Sequence, residues 1–499
     1  MGIRYHSGFM PSHLSSVSEA ENRQTAKTDG LPRRVLTVAP MPPEKSAYAL
    51  ARYSRSPDSV ADSLAWVRTH DSAKFLESFY FQYGHASIAD LGHLTVCFEG
   101  ISEIAATEIE DEQLWDGQAR SSRYQDFSRA APIVPPELTA EEAAMYREAA
   151  EKLLHAYHAV HERASAHLQE QLPRPEAMKP EAYRRNIAAR AFDIARYLLP
   201  FGIPTGVGQV TSIRTLEKQI RRLKATPFQE VREIAEELAA ACAAPPQCLW
   251  DEHQPAEPIA PTLARHAEGD GYAATVRADL TEWAADRLPA SETKAASAVD
   301  LIQPSDLVAD ICATLLYPVT TRPYRELYET TRSWSAAERG ELFEVALGKR
   351  TSRDELPRSF RSAPFVFDFV MDIGAYRDLH RHRRCQQFRQ EYTHKLGFEI
   401  PEIAAPIFEK AFAEIGSAIG RLPQPAAQYL LPFASRSRFL FKMDFAELEY
   451  IARLRSGVKG HFSYRKVAWE MKQALERLDP ALGKLVEATP PWVEDPLKR

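Results

Sequence analysis

The chain has 499 residues, enough for two domains that each bury a core of their own. Its 44% hydrophobic and 26% charged residues are ordinary for a globular protein, and a net charge of −6 gives no general attraction to nucleic acid or to an anionic membrane surface. Five cysteines without a CxxC pair argue against a disulfide framework or a zinc site, and no apolar run approaches the length of a membrane span.

In chain order, residues 1–34 are polar, lack the apolar stretch of a signal peptide and are expected to form a flexible tail. With the unpaired thiols, this makes a cytoplasmic location the expectation. Val35 to Val38 has the pattern of a short strand, and His93 to Phe98, alternating and β-branched, that of a second. Helical spacing runs over Ala140 to Glu170, Ala182 to Leu199 and Phe228 to Ala244, with prolines closing the first two. A Pro-, Ala- and acid-rich segment at 246–297 is expected to connect two units and to hold a helix. Beyond it, Phe365 to Val370 and Phe439 to Met443 are expected strands, and Ile407 to Leu422 and Phe445 to Leu454 expected helices. The fold class is therefore α/β (α+β), with helices around short-stranded sheets; parallel and antiparallel pairing stay open at this point.

The pentapeptide Tyr-Leu-Leu-Pro-Phe occurs at Tyr197 to Phe201 and again at Tyr429 to Phe433, and its surroundings recur with it. Each copy follows a helical segment, precedes a strand and a basic amphipathic stretch, and reaches an arginine at nearly the same distance, Arg232 or Arg465. Val35 to Pro40 answers Val299 to Pro304, and Tyr53 answers Tyr317. The chain thus divides into a tail, a first copy at 35–245, a linker at 246–297 and a second copy at 298–499.

Two segments carry anion-binding chemistry. In Arg377-Asp-Leu-His-Arg-His-Arg-Arg384, planar guanidinium forks suit phosphate or carboxylate, and on a helix Arg377, Arg381 and Arg384 would share a face. A solvated basic face or a nucleic-acid patch is the alternative for such a run. In the first copy, Ser121 and Arg123 would converge on one phosphate from an extended backbone, though a polar surface loop has the same composition. His85 and Ser87 follow Gly84 in a turn that could face a ligand or serve structure alone. Cys385 lies beside the arginines, which would lower its pKa, but the sequence offers no convincing Cys-His arrangement for a nucleophilic site.

These motifs, in this order, resemble the flavin-dependent thymidylate synthases. Tyr83-Gly-His-Ala-Ser87, Phe98-Glu-Gly-Ile-Ser102, Ser121-Ser-Arg-Tyr124, Leu199-Pro200, Ser212-Ile-Arg214 and Glu230-Val-Arg232 follow the family pattern in the first copy. Arg381-His-Arg383, Leu431-Pro432, Leu454-Arg455 and Tyr464-Arg465 follow it in the second. The departures are complementary. Asp111-Glu112-Gln113 stands where the family's Arg-His-Arg would fall in the first copy, and Glu103 replaces an arginine; Glu391 and Thr393 stand at the Ser-x-Arg positions of the second, and Ala446 at another arginine.

The resemblance implies reductive methylation of dUMP to dTMP, with FAD as cofactor and methylenetetrahydrofolate and NADPH as co-substrates, at one composite site shared by the copies. It implies dUMP ligands Ser121, Arg123, Tyr124, Arg214 and Arg232, with Arg232 also acting catalytically on the pyrimidine. FAD would be held by Arg381, His382 and Arg383, helped by His85 and Ser87, and no metal is needed. A homo-oligomer is implied, a dimer of fused chains standing in for the family's tetramer. A diverged flavoprotein acting on another substrate and a non-catalytic nucleotide- or nucleic-acid-binding protein are the alternatives.

Overall fold

The computed structural model describes residues 41–499 apart from 55–58, 79–85, 123–126, 128–129, 247–256, 290–296, 352–353, 355, 496 and 498–499. The expected tail and the strand at Val35 to Val38 lie outside the described residues.

Each copy is built on an antiparallel sheet. β1 (His93–Ser102), β2 (Trp115–Ala119) and β3 (Pro204–Ser212) form the first, in the order β1-β3-β2. β4 (Val299–Ile302), β5 (Phe365–Asp372), β6 (Gln386–Arg389) and β7 (Arg436–Met443) form the second, in the order β4-β5-β7-β6. The copies share this plan: β1 pairs with β3 as β5 pairs with β7, and the strand ends coincide at Ser102 opposite Pro204 and Asp372 opposite Arg436. Away from those ends β1 carries an irregularity at Gly100, whose φ of 65° suits a residue without a side chain.

β1 and β5 both run straight into a helix through an N-cap. Ser102 accepts the Ala105 N–H at 3.0 Å to open the helix Glu103–Glu110, and Asp372 accepts that of Ala375 at 2.8 Å to open Ile373–Leu379. Each cap is fastened to a helix near the end of its copy, Gln229–Ala243 or Phe462–Leu478, with the chemistry exchanged. Ser102 donates its hydroxyl to the Glu230 carboxylate at 2.6 Å, whereas Asp372 accepts from the Ser463 hydroxyl. Glu230 and Ser463 are equivalent positions two residues before Arg232 and Arg465, so a hydroxyl–carboxylate pair was kept while its ends swapped.

The expected helices appear as Ala140–Gln171, Pro180–Ala195, Gln229–Ala243, Ala405–Arg421 and Phe445–Ser456. The connecting segment forms two helices where it is described. Pro261–His266 is fastened to the first copy, where Glu44 accepts from the Thr262 N–H at 2.8 Å. Gly271–Arg287 packs Val276, Leu280 and Ala284 into a core cluster of the second copy with Leu316 and Leu342.

One hydrophobic core crosses the boundary between copies. At its centre the two Tyr-Leu-Leu-Pro-Phe segments pair with each other, antiparallel, through a bridge between Pro200 and Pro432. Phe201 N–H donates to Leu431 O at 2.8 Å and Phe433 N–H to Leu199 O at 3.0 Å; Gly202 donates to Tyr429 O at 2.7 Å and Ala434 to Tyr197 O at 3.2 Å. These are two symmetry-related pairs about a pseudo-two-fold axis. Proline has no N–H to leave unpaired, so it suits the crossing point itself. Each tyrosine then packs into the opposite copy, Tyr197 on His461 with ring centroids 5.4 Å apart and Tyr429 on Phe228 at 6.0 Å.

Candidate functional site

The basic segment is not one helix. The helix stops at Leu379, and residues 380–385 turn through bonds from His382 N–H to Leu379 O and from Cys385 N–H to His382 O before β6 begins at Gln386. Gln387 holds the turn by donating its amide to the carbonyl oxygens of His380 and His382, at 3.3 and 2.9 Å. Arginines one turn apart on a helix would repel. The turn separates them: Arg377 is buried between the copies, whereas Arg381 and Arg384 are exposed.

Arg381 and Arg384 face a cleft of about 1030 Å³ whose walls come from both copies. The second copy supplies residues 381–384 with Glu447 and Tyr450, and the first supplies Gln113, Leu114, Trp115 and Asp116. That size lies at the upper end of the roughly 300–1,000 Å³ range of cofactor and ligand sites. Arg383 lies 5.1 Å from the centre of the Trp115 ring and donates to Asp116 at 2.7 Å. Asp116 is 89% exposed, so this bond is a solvent-screened surface contact. The side chains of Arg381 and Arg384 make no hydrogen bond or ion pair with any described residue, although the Arg381 charge acts on the buried carboxyls of Glu103 and Glu110.

His382 is the buried member of the Arg-His-Arg triplet. Its Nε2 accepts from Arg455 Nε at 2.8 Å, which leaves Nδ1 to donate to the Glu447 carboxylate at 3.1 Å. Burial, with the Arg455 charge, outweighs Glu447 and lowers its pKa, so the ring is held neutral. His382 thus pins the arginine turn to the helix Phe445–Ser456, and the flanking arginines carry the exposed charge. Cys385 also departs from expectation: its thiol donates to the His382 carbonyl at 2.8 Å, and burial raises its pKa where neighbouring arginines were expected to lower it. Enclosure in apolar surroundings decides the sign.

The opposite face of the interface has the same architecture and contrary chemistry. There Asp111, at the position of Arg381, accepts from Arg358 at 2.8 Å. Burial raises the Asp111 pKa, but Arg358, Arg222 and Arg389 outweigh it and hold the carboxyl well below the usual range. Arg389 also bonds Glu108, and Glu112 accepts from Arg222 at 2.9 Å. A cavity of about 500 Å³ remains, lined among others by Glu108, Asp111, Arg358, Arg389 and Glu391. Asp111 thus neutralises Arg358 of the second copy and Glu112 engages Arg222 of the first, so the arginines of this face are taken up by internal ion pairs.

Ser121 follows β2 and is half-buried, and its neighbour Ser122 accepts from Arg377 Nη1 at 2.9 Å. Arg214 donates to Asp90 at 2.9 Å, and Asp90 shares a turn, Ala86–Leu91, with the exposed Ser87. Arg232 donates to the carbonyls of Thr226 and Pro227 at 2.9 and 2.8 Å. None of Ser87, Ser121, Arg214 and Arg232 lines the large cleft, which brings together Arg381, His382 and Arg383. His85, Arg123 and Tyr124 lie outside the described residues. Sequence reasoning passed over Trp115 and Tyr450, the aromatic walls, and Arg377 as an interface residue. Trp115 had one available signal, its place in the strand after the lost Arg-His-Arg position.

Among the described residues no group of His, Cys, Asp or Glu side chains could hold a metal, and no helix is long and apolar enough to cross a membrane.

The family profile described as thymidylate synthase complementing protein matches residues 36–245 and again 299–481. A UPF0159 protein of Chlamydia muridarum is 27% identical over 439 residues, covering 82% of this chain and 80% of the relative. A UPF0159 protein of Thermoplasma acidophilum is 24% identical over 488 residues, covering 88% and 94%. A flavin-dependent thymidylate synthase of Clostridium tetani is 27% identical over 215 residues, 42% of this chain and 82% of the relative. Among solved structures, the flavin-dependent thymidylate synthase ThyX of Helicobacter pylori complexed with FAD and dUMP covers 40% of this chain and 89% of its own, at 15% identity and a TM-score of 0.26. The UMP/dUMP methylase PolB of Streptomyces cacaoi covers 45% and 91%, at 14% identity and a TM-score of 0.30. With its profile matched twice along the sequence, the chain belongs to the thymidylate synthase complementing protein family, as two tandem copies of the family's domain.

Proposed function

We propose that the chain is an FAD-dependent thymidylate synthase with one composite site per pair of copies, methylating dUMP to dTMP with methylenetetrahydrofolate and NADPH. The observation that carries this reading is the asymmetry of the two interface faces. One keeps Arg381 and Arg384 exposed beside Trp115 and Tyr450 in a large cleft, their side chains without a hydrogen bond or ion pair among the described residues, and the other has its arginines engaged by carboxylates. Exposed guanidinium forks beside aromatic rings fit a ligand that is both anionic and planar, as FAD is.

Flavin, when bound, supplies the hydride-transfer chemistry. The chain's own part is binding and orientation. Arg381 and Arg383 would hold the flavin with His382 fixing their turn, while Ser121, Arg123 and Tyr124 would hold the nucleotide, with Arg214 and Arg232 completing that site, Arg232 at the pyrimidine, and His85 and Ser87 helping to hold the flavin. Fixed cations stabilise charge that develops on a substrate without reorganising. The deciding test is flavin content: Arg381→Glu should purify without flavin absorbance while keeping its folded circular dichroism. A variant that kept its full flavin would refute the assignment.

A second reading, a flavoprotein of the same lineage acting on another substrate, is favoured by one observation. Arg214 and Arg232 are both engaged by the protein itself, on Asp90 and on two backbone carbonyls. Rescue of a thymidine auxotroph separates the readings: growth supports dTMP synthesis, and failure by a flavin-loaded protein supports the second.

A further inference from the structure

The helix Ile373–Leu379 of the second copy sends one side chain into the first. Arg377, 7% exposed, donates Nε to the carboxylate of Glu103 and Nη1 to the hydroxyl of Ser122 at 2.9 Å, and its guanidinium lies 4.9 Å from the centre of the Phe433 ring. Glu103 and Ser122 are themselves buried, at 2% and 4% exposure. Ser121 is half-buried and Ser122, in the turn that follows, is buried with its hydroxyl on Arg377, so Ser122 anchors the segment from the interface side.

We propose that Arg377 is a positioning residue which, held by Glu103, fixes the Ser121–Ser122 segment of the first copy, so that the nucleotide site is ordered only by docking of the second copy. This rests on the reading of Ser121 as a nucleotide-phosphate ligand. The device occurs once per chain. On the opposite face the equivalents of Glu103, Arg377 and Ser122 are Ile373, Thr107 and Tyr392, none of them charged, and the Tyr392 hydroxyl has no hydrogen-bond partner among the described residues. A contact needed only for packing the copies together has no reason to sit on one face. This one sits on the face that keeps both Ser121 and Arg381. Glu103 replaces the arginine expected after Ser102, and the exchange supplies the anion that holds Arg377 in place.

The test uses the full chain loaded with FAD and measures dUMP affinity by calorimetry beside flavin absorbance. Ser122→Ala should weaken dUMP binding about tenfold, as expected for one lost hydrogen bond to a charged group, with flavin content unchanged and melting within about 2 °C of the parent. Ser122→Thr, which keeps the hydroxyl, should restore most of the affinity, and Arg377→Lys, which cannot bridge both partners, should behave like Ser122→Ala. Unchanged dUMP affinity in Ser122→Ala while Ser121→Ala binds weakly would overturn the positioning role and leave the nucleotide site intact. Unchanged affinity in both serine variants would overturn the nucleotide reading, and the positioning role with it. Should Arg377→Lys fail to fold, the Ala and Thr variants of Ser122 decide the matter alone.

Discussion

Phe201 and Leu431 are joined by a backbone hydrogen bond of 2.8 Å, and the equivalent residues return it, Phe433 to Leu199 at 3.0 Å. The repeated pentapeptide is therefore the seam of the molecule, each copy forming the other's partner. Self-complementary pairing of one segment with its twin is how a two-fold homodimer interface is built. Here both halves are in one chain, so the residues around the seam were free to diverge separately.

The seam has little room. A methyl group on Gly202 would lie 2.2 Å from the Tyr146 hydroxyl, 3.1 Å from Ile133 O and 3.3 Å from Tyr429 O. Gly202→Ala should cost about 1–3 kcal/mol, the usual effect of overpacking. Urea denaturation reads it directly, and a change under 0.3 kcal/mol would mean that the seam yields.

Arg196 crosses the boundary with 1% exposure, reaching Asp378 and the Gly374 carbonyl at 3.4 Å. Truncation leaves Asp378 near the interface without that cation, so Arg196→Ala should destabilise by about 3–5 kcal/mol. The double variant with Asp378→Asn should recover part of the loss. Equal destabilisation in the single and double variants would show that packing alone is lost.

Glu110 is buried in the first copy, where enclosure and the Glu103 charge raise its pKa to about 7 against the pull of Arg381 and Arg377. The folded state then holds a proton that the unfolded chain has released at its ordinary pKa near 4.5. Stability falls as pH rises from about 4.5 to 7 and is level above that, by at most about 3 kcal/mol. Glu110→Gln should remove this slope while matching the parent below pH 4.5. A parallel pH dependence in both proteins would assign the effect elsewhere, Asp372 being the first candidate, since burial raises its pKa to about 6.

The face whose arginines are paired with carboxylates should bind no second cofactor. Flavin titration should saturate at one FAD per chain, and Asp111→Ala, which leaves Arg358 and Arg389 without that anion, should destabilise by about 3 kcal/mol and create no second site. A stoichiometry of two would contradict the asymmetry.

The amino-acid sequence alone pointed to the duplication and to the longer helices and strands, because both rest on local signals. Strands such as Phe365–Asp372 and helices such as Ala140–Gln171 announce themselves by period, caps and prolines. The Arg-His-Arg triplet and the family order of motifs are likewise contiguous text. The helical reading of residues 377–384 went astray because spacing cannot register the amide of Gln387 folding back onto two carbonyls. What only the tertiary structure decided is pairing between residues far apart in the chain: Asp111 with Arg358, Glu103 with Arg377, Pro200 with Pro432. In the sequence Asp111 and Glu103 are losses of cationic residues. Across the interface they are the anions that neutralise one face and brace the other, because the energy of a buried charge is set by what surrounds it in space.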